Sequence, residues 1–181
     1  MKTDLLAGDG PRDETEIAAL GAQIRNLIDD VTLGVLSTID SKGVPQLRWM
    51  ATTTFESFPH IYTLTSPHSR KMDHVAINPW VSWMFASEDM KFVVNLTGQA
   101  RVLLQDVETM KKIWNQISDK SRAYFLGDCV SGPGFSVLET VVEHIECTFP
   151  VEGRRVSLAP EWIRKAWDSS PSVQSKGGNV G

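Results

Sequence analysis

The feature that most constrains the fold is a long stretch in which polar and apolar residues alternate. In residues 92–104, FVVNLTGQARVLL, the polar side chains of Asn95, Thr97, Gln99 and Arg101 alternate with small or apolar ones. Because successive side chains of a β-strand point to opposite faces, this period of two predicts a strand with one wet and one dry face. Such a strand needs neighbours, so the chain is expected to form a sheet.

Other short, β-branched segments supply the neighbouring strands. VTLGVLSTID and VPQLRWMATTTF flank a turn signal and predict a hairpin over residues 31–55, and HIYTLTS, VSWMFAS, VLETVVEHIECTF and RRVSL are further candidates. Single helices are expected at 17–28, 70–77 and 107–117, and a short one beginning near Pro160. Six to seven strands, joined mostly as hairpins, pair antiparallel. The sequence therefore predicts a mainly β fold with inserted helices, closed into a small barrel that leaves few edge strands.

Length and composition set limits on domain number and on partners. With 181 residues, 41% of them hydrophobic, the chain is expected to form one domain over residues 1–168, with a loose leader at 1–12 and a disordered tail at 169–181. A net charge of −4 argues against general nucleic-acid binding. Cys129 and Cys147 form no CxxC pair, which favours a reduced, cytoplasmic setting over a disulfide framework or zinc site. No apolar run is long enough for a signal peptide or a membrane span.

One segment carries a pattern typical of anion binding. In IYTLTSPHSRKMDHVAINPW a strand leads into a turn, and a helix then opens with Arg70 and Lys71 after Ser69. Free N–H groups and the helix dipole favour an anion at such a terminus, so basic residues there indicate an anion, plausibly phosphate. The alternative is that both residues lie on a solvated helix face. Arg48, in the middle of a predicted strand, is either a phosphate ligand or an outward-facing arginine of a barrel wall.

Three segments in this order resemble the pyridoxamine 5′-phosphate oxidase-like, FMN-binding split-barrel superfamily, and most closely its general stress protein branch. They are VLSTIDSKGVPQLRWM, IYTLTSPHSRKMDHVAINPWVSWMF and VNLTGQARVLLQDVETMKKIW, and they cover roughly residues 30–118. The resemblance implies a split β-barrel of six to seven mostly antiparallel strands. It also implies a homodimer with FMN sites at the subunit interface, and a small-molecule electron donor or acceptor.

The same resemblance implies which residues surround the flavin. Arg48 matches the strand arginine that reaches the FMN phosphate, and the Ser-Arg-Lys run at 69–71 matches the residues that close on it. An aromatic-Thr pair borders the flavin, and the two residues after the arginine lie near its ring system through backbone contacts. The expected cofactor-binding residues are Arg48, Trp49, Met50, Tyr62, Thr63, Ser69, Arg70 and Lys71.

Departures from the oxidase pattern leave the activity open. Thr53 stands where the oxidases have a lysine five residues after the strand arginine. No general acid or base is identified, and the four histidines form no convincing metal site. Three hypotheses follow: an FMN-dependent oxidoreductase of an unknown small substrate, a non-enzymatic flavin-binding stress protein, or a split barrel that binds a deazaflavin or haem.

Overall fold

The computed structural model describes residues 10–29, 33–54, 58–103, 107–117 and 135–168. The predicted tail and the first nine residues of the predicted leader lie outside these ranges. The elements, in chain order, are α1 (Glu14–Asp29), β1 (Gly34–Ile39), β2 (Pro45–Met50), β3 (His60–Thr65), α2 (Arg70–Ile77), β4 (Trp80–Ala86), β5 (Val93–Leu103), α3 (Val107–Gln116), β6 (Ser136–Phe149), β7 (Arg154–Leu158) and α4 (Pro160–Asp168).

The seven strands form one antiparallel sheet that curls back on itself. Its order is β2-β1-β4-β5-β6-β3, and β7 pairs with the second half of β6. The ends of this order meet where Thr53, just after β2, pairs with Tyr62 of β3. Their two backbone hydrogen bonds measure 3.0 Å and 2.8 Å between nitrogen and oxygen. This closure confirms the predicted mainly β barrel with single helices between strands.

The first hairpin is shorter than the sequence suggested. The predicted returning strand continued through residues 51–55, but β2 ends at Met50. Thr52 turns inward there, and its hydroxyl donates to the carbonyl of Ile28 at 3.1 Å. The turn itself forms as expected: Asp40 Oδ1 accepts from the backbone amides of Lys42 and Val44, each at 2.9 Å.

A β-bulge interrupts the pairing of the two longest strands. The register between β5 and β6 shifts at Gly98, which pairs with Val142, whereas the preceding Thr97 pairs with His144. A Cβ atom at Gly98 would lie 2.0 Å from the carbonyl oxygen of Val141. Glycine is therefore required here because the two backbones approach too closely for any side chain, and the bulge bends the sheet toward closure.

Two hydrophobic clusters stabilise the barrel. The larger one fills its interior and extends to α1 and α4, with Leu36, Trp83, Phe85, Leu96 and Ile145 among its buried members. The smaller one packs α3 against the outer face of β3 and β6, through Leu64, Ile113, Ile117 and Val137. The helices thus cover two sides of the barrel, while α2 lies beside β1 and β5.

Candidate cofactor site

The candidate site lies where β3 leads into α2. β3 ends at Thr65, and Ser69 occupies the N-cap position of α2 with extended backbone angles, φ −78° and ψ 140°. Its side chain makes no capping hydrogen bond, because its hydroxyl lies 2.8 Å from the Thr65 hydroxyl instead. The Met72 amide donates to the Ser69 carbonyl at 2.9 Å, and no side chain in the described ranges caps the amides of Arg70 and Lys71, which are therefore available to an anion.

Lys71 projects from the first turn toward the end of β3. Its Nζ donates to Thr65 Oγ1 at 2.6 Å. Burial, and to a lesser extent the charge of Arg48, lowers the pKa of Lys71 to about 8. A half-buried ammonium beside a second cation is under electrostatic stress that a bound anion would relieve.

Arg48 approaches the same place from β2. Its Nη2 donates to Thr38 Oγ1 at 2.9 Å and to the carbonyl of Gln46 at 3.2 Å. Burial, followed by the charge of Arg70, lowers the pKa of Arg48. Both of these hydrogen bonds are donated by Nη2. The N–H groups on Nη1 and Nε have no acceptor among the residues described, so they are available to a ligand.

Arg48, Arg70 and Lys71 form a cluster of positive charge, here called the cation cluster. In the ranges that the structure covers, no carboxylate lies within ion-pair distance of any of the three. The ion pairs found there involve Lys91 with Asp89, Arg101 with Glu139, Lys111 with Glu108, Arg154 with Glu16, and His60 with Glu139. Arg48 and Lys71 are partly buried and Arg70 is exposed. Partly buried like charges without an acidic partner repel one another, so this cluster favours a bound anion.

The cation cluster and the N-cap residue Ser69 bring together four of the eight predicted site residues. Their arrangement fits a phosphate group held by a strand arginine and a helix N-terminus. Their role as cofactor ligands stays a prediction.

Tyr62 and Thr63 lie on β3 with their side chains on opposite faces of the sheet. Thr63 is buried, and its hydroxyl donates to the carbonyl of Ala51 at 2.5 Å. The Tyr62 hydroxyl donates to Glu139 Oε1 at 3.1 Å, while its backbone N–H and carbonyl both pair with Thr53. The Tyr62 backbone groups are thus used in closing the barrel and the Thr63 hydroxyl is used on Ala51, so contact of this pair with a flavin stays a prediction.

Trp49 and Met50 follow Arg48 along β2. Trp49 faces away from the cation cluster and is 68% exposed, whereas Met50 packs against the main core. The alternation of the strand therefore separates the Trp49 side chain from the cation cluster, although its backbone adjoins Arg48.

A second polar cluster lies on the outer face beside Tyr62. The Glu139 side chain is buried, and it accepts hydrogen bonds from Arg101 Nε and from the Tyr62 hydroxyl, with His60 Nδ1 at 2.9 Å. Burial opposes ionisation of Glu139, but the hydrogen bonds from Arg101 and His60 outweigh it and keep its pKa below the ordinary value. Because β3, β6 and β5 are adjacent, Tyr62, Glu139 and Arg101 stand in one row across the sheet.

Sequence reasoning missed Thr38, His74 and Glu139. His74 is buried in the structure, and its Nδ1 lies 2.8 Å from the hydroxyl of fully buried Thr38. Glu139 offered a signal, a lone acid within the apolar run SVLETVV. Thr38 offered none, because Ser37 and Thr38 are both polar and alternation does not say which of them faces inward.

The closed antiparallel barrel with single helices between its strands is a split β-barrel, and the cation cluster lies on its wall at a helix N-terminus. The model of the pyridoxamine 5′-phosphate oxidase like family matches residues 21–126, more than half of the chain. The chain belongs to this family, which confirms the predicted resemblance.

Solved structures agree with that assignment. A Clostridium acetobutylicum protein related to general stress protein 26, of the pyridoxinephosphate oxidase family, superposes with a TM-score of 0.67 at 14% identity, over 83% of this chain and 99% of that one. A pyridoxamine 5′-phosphate oxidase-related, FMN-binding protein from Nostoc punctiforme gives 0.58 at 15% identity, over 78% and 93%. A heme-binding protein from Mycobacterium smegmatis gives 0.60 at 18% identity, over 80% and 60%. At these identities the likeness shows the fold.

No curated protein matched the sequence. Among the residues described, no group of three or more metal-binding side chains comes together, and no helix is long and apolar enough to cross a membrane.

Proposed function

We propose that the protein binds FMN at the cation cluster and uses it for oxidation or reduction of a small molecule. The observation that carries this proposal is the set of three cations, Arg48, Arg70 and Lys71, with no carboxylate partner among the residues described. Family membership supports it, and so does the FMN-binding protein among the structures of the same fold.

The chemistry of these residues fits a phosphate monoester. A monoester carries about −1.5 to −2 charges at neutral pH and three acceptor oxygens. Arg48 offers the N–H groups on Nη1 and Nε, Lys71 offers its remaining ammonium protons, and the N-terminus of α2 adds its dipole and the amides of Arg70 and Lys71. Binding of the phosphate would relieve the mutual repulsion of the three cations. The hydrogen-bond donors and the net charge of the site therefore both favour a phosphate monoester.

The residues around the ring system would orient the cofactor. FMN, when bound, supplies hydride or electron transfer, and the protein contributes position and electrostatics. The Tyr62 ring is fixed by its hydrogen bond to Glu139, which Arg101 in turn fixes. Thr53, where the oxidases have lysine, belongs to the bridge that closes the barrel. The substrate that we propose is therefore a small electron donor or acceptor other than pyridoxamine phosphate.

The first experiment is the absorption spectrum of the purified protein, followed by identification of the compound that heat releases. Flavin bands with released FMN would support the proposal. Titration should then show tighter binding of FMN than of riboflavin, because riboflavin lacks the phosphate. Equal affinity for the two would remove the phosphate site. Rapid reduction by NADH or NADPH, or turnover with an electron acceptor, separates an enzyme from a non-enzymatic flavin store.

Haem is the second candidate, because one protein of the same fold is described as heme-binding. His60 is the better placed of two histidines for axial ligation, because its Nδ1 contacts the Glu139 carboxylate, as in many metal-binding histidines, and ligation would use Nε2. His74 is buried, and its Nδ1 contacts Thr38. A Soret band in place of flavin bands would favour haem, and a deazaflavin would be recognised by its own spectrum.

We further propose that the protein is a homodimer. An exposed apolar row crosses the outer face of β2, β1 and β4, where Trp49, Val35 and Met84 are register neighbours. Trp49 is 68% exposed and Leu47, on the same face, 70%. Large exposed apolar side chains in one patch are typical of an interface, and a two-fold axis would use this patch on both subunits. Light scattering that gives a monomer with full flavin occupancy would contradict the proposal.

A further inference from the structure

A chain of three side chains connects α2 to the inner face of β2. Arg48 Nη2 donates to Thr38 Oγ1 at 2.9 Å, and Thr38 Oγ1 lies 2.8 Å from His74 Nδ1. Thr38 is fully buried and His74 nearly so. The three residues come from β2, β1 and α2, so the chain joins both elements that carry the cation cluster, β2 and α2, through β1.

Proton accounting fixes the direction of these hydrogen bonds. A guanidinium has donors and no acceptor, so Arg48 donates and the Thr38 oxygen accepts. The single hydroxyl proton of Thr38 must then go to another acceptor, and His74 Nδ1 is the one in reach. We therefore assign His74 Nδ1 as the acceptor of the Thr38 hydroxyl and as the end of the chain.

We propose that His74 is a positioning residue for phosphate recognition, which acts through Thr38 to hold Arg48 in the orientation that the phosphate requires. The inference rests on the proposed function, since the phosphate is taken to be that of FMN. It assigns His74 a role in ligand affinity beyond packing α2 against the barrel.

Repulsion within the cation cluster explains why Arg48 needs such an anchor. In the free protein Lys71 and Arg70 repel its guanidinium, and no carboxylate among the described residues holds it in place. A long arginine side chain also loses conformational freedom when a ligand orders it. Fixing Nη2 on Thr38 before the ligand arrives reduces that loss and leaves Nη1 and Nε directed to the phosphate.

The test compares FMN and riboflavin affinities in variants that remove or retain each hydrogen bond. His74→Leu removes the acceptor, whereas His74→Asn keeps an acceptor oxygen the same number of bonds from Cα as Nδ1. Thr38→Val removes the hydroxyl, and Thr38→Ser retains it. We expect His74→Leu and Thr38→Val each to lower the preference for FMN over riboflavin by about tenfold, the value of one lost charge-assisted bond. The Asn and Ser variants should stay within about threefold of the wild type.

Because the chain acts as a unit, the double variant His74→Leu/Thr38→Val should lose no more preference than either single variant. Thr140→Val is the matched control. It removes another buried threonine hydroxyl, which accepts from Trp83 Nε1 at 3.1 Å, in a different part of the barrel. Its FMN preference should remain that of the wild type while its thermal stability falls.

Several results would overturn the inference without touching the proposed function. One is a wild-type protein that prefers FMN together with an unchanged preference in Thr38→Val and His74→Leu. Another is a loss of preference in Thr140→Val as large as in Thr38→Val, since general loosening would then explain both. If His74→Leu does not fold, the comparison of Thr38→Val with Thr38→Ser decides alone. A wild type with equal affinity for FMN and riboflavin would instead refute the proposed function itself.

Discussion

Replacement of Lys71 by methionine isolates the electrostatic stress at the candidate site. Burial and the charge of Arg48 lower the pKa of Lys71 from 10.5 to about 8 in the folded, ligand-free protein. In the unfolded chain the same group keeps its ordinary pKa, so between pH 8 and 10.5 the unfolded state binds the extra proton. Stability therefore rises with pH across this window, because the destabilising charge is lost first from the folded state.

The magnitude follows from the size of that pKa change. Each tenfold change in proton affinity is about 1.4 kcal/mol, which gives an upper value of about 3.4 kcal/mol. The ammonium keeps some contact with solvent, and screening reduces the effect to about 1–2 kcal/mol. The hydrogen bond from Lys71 to Thr65 and the packing of the Lys71 methylene groups also contribute to the free energy of unfolding. The packing contribution does not change with pH.

The assay is urea unfolding of ligand-free wild type and Lys71→Met at several pH values from 7 to 10.5. The free energy of unfolding of the wild type, relative to the variant, should rise by about 1–2 kcal/mol over this interval. Lys42→Met changes an exposed lysine in the first hairpin turn, and its difference from the wild type should stay within about 0.5 kcal/mol at every pH. A flat difference for Lys71→Met would refute the argument that the cation cluster stresses the free protein.

Three further outcomes are expected. Arg70→Ala should weaken FMN binding by about ten- to a hundredfold and leave riboflavin binding and ligand-free stability nearly unchanged, and equal losses for both flavins would contradict the phosphate assignment. Gly98→Ala should destabilise the fold by about 1–3 kcal/mol in urea unfolding, because a Cβ would meet the carbonyl oxygen of Val141, whereas Gly10→Ala has open space and should be neutral. Trp49→Glu should convert the dimer to monomers in analytical ultracentrifugation, and an unchanged dimer would place the interface elsewhere.

The strands were predictable from sequence because their side-chain period is local. Alternation in residues 92–104 and β-branched runs elsewhere predicted where the strands lie along the chain. The Asn78-Pro79 pair predicted that α2 ends at Ile77. The end of β2 was not predictable. Ala51 and Thr52 continue a strand-like composition, and only the hydrogen bond of Thr52 to Ile28 in α1 turns the chain away.

The candidate site was predictable where charge is unusual and unpredictable where polarity is ordinary. The sequence itself shows an arginine, Arg48, inside a predicted strand and basic residues at the start of a predicted helix. Charged residues are rarely found in these positions unless a ligand or an oppositely charged group binds them. The hydrogen bond from Thr38 to His74 joins residues 36 positions apart. Threonine is common in strands, so its role emerges only when β1 and α2 are brought together. The same holds for the row of Tyr62, Glu139 and Arg101 across three strands.

The position of β6 in the sheet has a consequence for how the protein is made. β6 pairs with β5, β3 and β7, and its partner in β3 lies about 70–80 residues earlier in the sequence. At synthesis rates of about 5–20 residues per second, about 4–15 s pass between the synthesis of β3 and that of its partner residues in β6. During this time the edge of β3 that later pairs with β6 is unpaired. Contacts over such distances in sequence form late. Tyr62 and Thr63 therefore reach their final places only after residues 136–141 of β6 have been synthesised, and the barrel wall formed by β3 is completed at that stage.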